Sequence, residues 1–242
     1  MDVVRSSAEW EAAEDPYKMI YLPACRNDRK RRLVVCAVVR ELLARFPAPE
    51  LDPAVDFAEA WADGSFDNSK WKQLRRDLRK LDTQSVFTSP LAFTTPLALP
   101  SVMAMLEKEF MNYSNVIAEY SSAVRLAKQI AVIERRDRPA IEAVDLCGIV
   151  REIFRNPFAP VVVQSKWKTK AVRQLGTAIY EEHDIEALPV LADALEEAGC
   201  DEDRLLDHLR KTERHFRGCW ALDLVLGVFG SLAAPSKSQS KT

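Results

Sequence analysis

Four side chains near the C-terminus, Cys200, His208, His215 and Cys219, are of the types that surround one tetrahedral zinc ion in a Cys2His2 set. Their spacing argues against all four acting together. Asp201 reads as an N-cap, which puts Cys200 ahead of a helix on which His208 lies about 12 Å further along the axis. His208, His215 and Cys219 remain as a reduced metal site, because His215 and Cys219 share a face if their segment is helical. Gly218 weakens that helix. The competing reading makes His215 and Arg217 a polar cap that hydrogen-bonds a neighbouring acidic helix, with Cys219 and Trp220 in the core.

Catalysis receives less support from the residue types. His183, His208 and His215 could act as general bases, but no G-x-S-x-G, H-E-x-x-H or glycine-rich phosphate loop accompanies them. Cys219, close in sequence to Arg217 and His215, could be a thiolate of lowered pKa, since neighbouring cations favour the charged form. Glu181, Glu182 and Asp184 read as a solvated acidic run at a helix end rather than a paired-carboxylate site.

The elements that must position these groups read as helices throughout. Glycine is scarce, at 7 of 242 residues, so the turn signals that an all-β chain needs every eight to twelve residues are missing. Ser6 or Ser7 caps a first helix through Glu14, and Asp15-Pro16 starts a second that Pro23 ends. Asn27 or Asp28 opens a long helix toward Phe46 with a wide apolar face. Asp52-Pro53 opens another, closed at Asp63-Gly64 by a glycine suited to a left-handed cap. Trp71, Leu74, Leu78 and Leu81 recur at helical spacing on a further segment.

Residues 83–100 contain Pro90, Pro96 and Pro100 and read as a connecting loop between an N-terminal half, 1–82, and a C-terminal half, 101–232. In the second half Ser101 caps a long helix to about Arg136, Ile141 to Phe154 forms another, and Ser165 caps a helix from Lys166 to Glu182. Two capped amphipathic helices and the most apolar run of the chain fill Asp184 to Gly227, and 233–242 reads as a disordered polar tail. The fold expected is all-α, a compact irregular bundle of about nine helices.

Charge is distributed unevenly around a net value of −2. Arg29, Lys30, Arg31 and Arg32 crowd the start of the third helix, where the positive end of the helix dipole disfavours them, so they either bind something acidic or stay solvated. Lys72, Arg75, Arg76, Arg79 and Lys80 line one face of the Trp71 helix. Together these nine cations are the candidate nucleic-acid contacts, against the plainer reading of a solvated face. Between Glu181 and Asp203 stand ten carboxylates and no Lys or Arg.

Five cysteines at irregular spacing, without C-x-x-C, imply a reducing compartment and no disulfide framework. The N-terminus has no basic region followed by an apolar one, which points to the cytoplasm. The apolar run from Gly218 to Ala234 contains Asp223 and is short of the roughly 20 residues that a spanning helix needs, so it reads as a buried helix and not a tail anchor.

EW and DP near the start, DRKRRLVVCAVVR, ADG, REIFRNPFAPV, AIYEEHDIEALPVLADALEEAGC, HLR and H-x-RGCW-x-LDLVLG resemble an uncharacterised family of bacterial, planctomycete-type helical proteins. The resemblance covers most of residues 9–64 and 145–227. It implies a shared fold and a bacterial intracellular setting, and it carries over no functional residue. The expectation that results is a non-catalytic interaction or adaptor module with a protein partner and no cofactor. The alternatives are a nucleic-acid-associated protein, and a zinc or thiol protein centred on His215 and Cys219.

Overall fold

A computed structural model of the chain describes residues 3–45, 48–84, 146–211 and 214–228. Those residues form ten α-helices joined by short 3-10 turns, with no strand among them, so the all-α multi-helix expectation holds. The helix expected from Ser101, most of the 83–100 loop and the 233–242 tail lie outside the described residues. Contacts divide the chain into two units, one of residues 1–26 with 147–229 and the other of residues 27–146 with 230–242.

In the second unit the described helices are α3 (Asp28–Arg45), α4 (Asp52–Ala62) and α5 (Asn68–Gln84), numbered in chain order. The Asn27 side chain accepts the Lys30 amide at 2.9 Å and caps α3. Leu33 through Val39 are all buried, so mid-α3 is a core element on every side. Helix α4 runs antiparallel to it, as the ion pairs show. Arg29 near the start of α3 meets Asp63 beyond the end of α4 at 2.9 Å. Arg40, further along α3, meets Glu59 at 3.1 Å, Asp56 at 2.5 Å and Asp52 at 3.3 Å.

At the basic start of α3, burial of Arg29 and Arg32 corrects the expectation of solvated or ligand-binding charge for those two residues. Arg29 is 2 % and Arg32 0 % exposed. The Arg32 guanidinium carbon lies 3.8 Å from the centre of the Trp61 ring, and burial lowers its pKa to about 10 despite the opposing pull of nearby groups such as Asp28. Lys30 and Arg31 are half-buried. Trp61 in turn packs at a tilt against Phe66 at 4.8 Å, and Phe66 against Trp71 at 6.4 Å, an aromatic corner where the chain turns from α4 into α5 after Gly64, at φ 91°. Asp67 caps α5, accepting the Ser69 and Lys70 amides. The helix runs on to Gln84, past the boundary expected at residue 82.

The first unit holds α1 (Ser7–Glu11), α2 (Pro16–Ile20), α6 (Leu146–Ile153), α7 (Lys170–Glu182), α8 (Leu188–Glu197), α9 (Asp203–Arg210) and α10 (Trp220–Leu226). Ser6 and Asp15 cap the first two as their sequence implies, although α1 stops at Glu11, short of the expected Glu14. Ser165 does not cap α7. It opens a 3-10 turn to Trp167, and Thr169 takes the cap by accepting the Val172 amide at 3.2 Å. Helix α9 follows Glu202 with no side-chain cap, where Asp201 was expected to serve. The apolar run from Gly218 yields seven helical residues closed by Gly227 at φ 75°. No helix among the described residues is long and apolar enough to cross a membrane.

Helices α7 to α10 share one core, with Val172, Ile179, Leu191, Leu195, Leu205, Leu209, Ala221 and Val225 within it. Gly176 lets α7 and α10 approach, since a Cβ there would sit 3.1 Å from Leu226 Cδ2. On the outside, Arg210 of α9 clasps α8 through Asp193, at 2.7 Å, and Glu196.

The α3–α4 seam makes a prediction. Glu59 is 6 % exposed and bonds Arg40 twice. Burial alone would lower the Arg40 pKa, but the bonds to Glu59 and Asp56 raise it. Glu59→Ala removes two bonds from the half-buried Arg40 and its one buried carboxylate partner, leaving Asp52 and Asp56, and should cost about 1 to 2 kcal/mol in urea melts. Asp56→Ala, at an exposed partner, should cost under about 1 kcal/mol.

Candidate metal centre

Three separate segments of the first unit bring four ligand-type side chains together. Helix α9 presents His208. The chain then leaves helical geometry, passes through His215, and turns back at Gly218, whose φ of 88° favours glycine. Cys219 therefore arrives at the N-cap position of α10 and not one turn along a helix from His215, so the shared-helix geometry expected for that pair is replaced by a turn. Helix α6 supplies Glu152.

Glu152 Oε1 lies 2.9 Å from His215 Nδ1, and its Oε2 lies 3.1 Å from His208 Nε2. His208 Nε2 is also 3.3 Å from Cys219 Sγ. One ligand atom from each of the four falls within 4.8 Å of every other. The cluster is inside the protein, with Cys219 1 %, His215 7 % and Glu152 9 % exposed. Trp220 is half-buried and not sunk in the core, and its ring lies 4.7 Å from that of His208, closing one side.

The hydrogen-bond accounting at His215 is specific. Its Nδ1 faces a carboxylate and its Nε2 faces the Lys211 carbonyl at 3.3 Å, and both partners only accept. A neutral imidazole has one N–H, so donation at both nitrogens requires the imidazolium. The other solution keeps Nε2–H on the Lys211 carbonyl and turns the bare Nδ1 lone pair into the cluster. That is the outer contact which orients metal-bound histidines.

Burial pushes the Glu152 carboxyl up, but hydrogen bonds from His208 and His215, with their charge, outweigh it and bring the group down to about 2. Cys219 moves the opposite way. Burial, reinforced by the Glu152 charge, lifts its thiol well above the ordinary value. The expected low-pKa thiolate is thereby corrected, because Arg217 is elsewhere: its guanidinium lies 4.4 Å over the Tyr180 ring and contacts His183. Buried and beside the Glu152 carboxylate, Cys219 is a neutral thiol and a poor nucleophile. A bound metal reverses that logic by stabilising the thiolate directly.

The donor set is one sulfur, two imidazole nitrogens and one carboxylate oxygen, the types zinc takes. Tetrahedral zinc with these bond lengths separates its ligand atoms by roughly 3.3 to 3.8 Å. The contacts of 2.9, 3.1 and 3.3 Å and the 4.8 Å limit on the four ligand atoms bracket that range. His208, His215 and Cys219, singled out by type, are thus brought together, and Cys200 is buried outside the group. Glu152 was missed, being 63 residues from His215. Its one signal is a carboxylate within the apolar helix LCGIVREI, where Cys147, Ile149, Val150 and Ile153 are also buried.

Glu181, Glu182 and Asp184 are exposed. Among the candidate nucleic-acid contacts, Lys72, Arg76, Arg79 and Lys80 are exposed on α5, while Arg75 is half-buried over the Trp71 ring. No family model, curated protein or solved structure matches the chain.

The depressed Glu152 pKa sets an acid limb. A carboxylate held down in the folded state contributes stability that is full above its unfolded value, near 4.5, and is lost as pH falls toward about 2. In metal-free protein this amounts to something on the order of 3 kcal/mol. Urea melts between those pH values should show a steep loss in the parent, and Glu152→Gln should flatten it. An equally steep limb in the variant would mean other carboxylates set it.

Proposed function

We propose that the protein is a non-catalytic binding protein whose first unit is held by a divalent transition metal, zinc by donor type, in the Glu152, His208, His215 and Cys219 cluster. The observation that carries this reading is the convergence of the four ligand atoms within 4.8 Å from three segments of chain. Four protein ligands fill a tetrahedral site and leave no position for substrate, and the cluster's burial keeps solvent out, as in structural and not catalytic zinc centres. Metal binding would also offset the cost of burying two histidines, a thiol and a carboxylate together.

Elemental analysis of protein dialysed against zinc and then against buffer should find about one ion per chain. Cys219→Ala and His208→Ala should each reduce retention to background, and cobalt substitution of the parent should give the intense absorption of tetrahedral thiolate coordination. A chain that takes up no zinc at micromolar concentration overturns the proposal.

A second reading rests on α5, whose exposed Lys72, Arg76 and Arg79 recur at near-helical spacing along one face while Leu78 is buried on the other. Such a face suits a phosphate backbone, and binding through it weakens steeply with salt. DNA binding at about 150 mM salt that is lost in the triple Gln variant of those residues would support this reading. Equal behaviour of parent and variant would make α5 a solvated face.

A further inference from the structure

Helix α6 takes part in two sets of bonds. One side supplies Glu152 to the cluster. The other anchors the N-terminal helix: Arg151 donates to the Trp10 carbonyl at 3.2 Å and to the Ala13 carbonyl at 2.7 Å, at the end of α1 where helix carbonyls lack intrahelical partners. Just beyond α6, Asn156 donates to Ser7 Oγ at 2.9 Å and to Glu11 Oε1 at 2.8 Å. A helix of five residues has no stability of its own, so α1 is ordered by its docking, with Trp10 1 % exposed beneath it.

From this geometry we infer that the metal ion acts as a latch on the N-terminus: its occupancy fixes α6 against α9 and the turn before α10, and α6 in turn fixes α1. The inference rests on the metal reading of the cluster. Adjacent backbone positions on one short helix cannot move independently, so an ion that pins Glu152 also pins Arg151. Removing it leaves a buried carboxylate bonded to two histidines, a weaker link that opens sooner. Local opening of such a short, peripheral segment precedes global unfolding. Linkage requires the converse as well, since docking of α1 must strengthen metal binding by the factor with which metal strengthens docking.

The test is hydrogen exchange on the full chain, zinc-loaded and chelator-treated, with metal content measured on the same samples. Amides of residues 7–13 and 147–153 should exchange at least about fivefold faster without metal, while those of α3 and α4 keep their rates. Asn156→Ala, which touches no cluster residue, should lower zinc affinity by a similar factor. Zinc bound at one per chain with unchanged exchange at 7–13, or with acceleration spread equally over α3 and α4, overturns the latch and leaves the metal reading standing. A chain that binds no zinc sinks both.

Discussion

The first unit depends on how one buried carboxylate is neutralised. Glu152 sits on a helix whose other buried side chains, Cys147, Ile149, Val150 and Ile153, are apolar, and an unpaired charge there would cost several kcal/mol. Two histidines from a distant part of the chain meet its two oxygens. Around that pairing the local geometry becomes intelligible: the non-helical path through His215, the left-handed Gly218, and the placement of Cys219 ahead of α10. A cation at the centre would satisfy the same carboxylate and, in addition, turn a neutral thiol into a ligand.

The second unit solves the same problem with arginine. Arg29 and Arg40 cross from α3 to carboxylates on and beyond α4, and the Arg32 guanidinium carbon lies over the Trp61 ring. Guanidinium groups suit this seam because their planar fork bonds carboxylates and stacks on rings, which an ammonium does not. The partners Asp52, Asp56, Glu59 and Asp63 recur every three or four residues, so the seam also fixes the register of the two helices.

Local signals in the sequence were legible wherever the physics is local. Asp15-Pro16, Asn27, Gly64 and Gly227 start or stop helices where their types imply, because caps and left-handed closures involve only neighbouring residues. Thr169 displaced Ser165 as a cap because Trp167 is buried and its turn had to be completed first, a tertiary demand invisible in propensity. Arg29 and Arg32 read as surface charge until Asp63 and Trp61 are seen across from them. His208, His215 and Cys219 could be picked by type, whereas Glu152 could not, since one glutamate among many gains meaning only from what the fold places opposite it. The grouping of residues 1–26 with 147–229 was likewise hidden, because the link is made by Arg151 and Asn156 reaching back to α1.

The central claim is that this cluster is a metal site of defined donors. X-ray absorption at the zinc edge of the loaded protein addresses it most directly, because it counts ligand atoms by element. The account predicts a four-coordinate ion with one sulfur at about 2.3 Å and three nitrogen or oxygen neighbours at about 2.0 to 2.1 Å, the sulfur shell vanishing in Cys219→Ser. A six-coordinate shell of light atoms with no sulfur would contradict it.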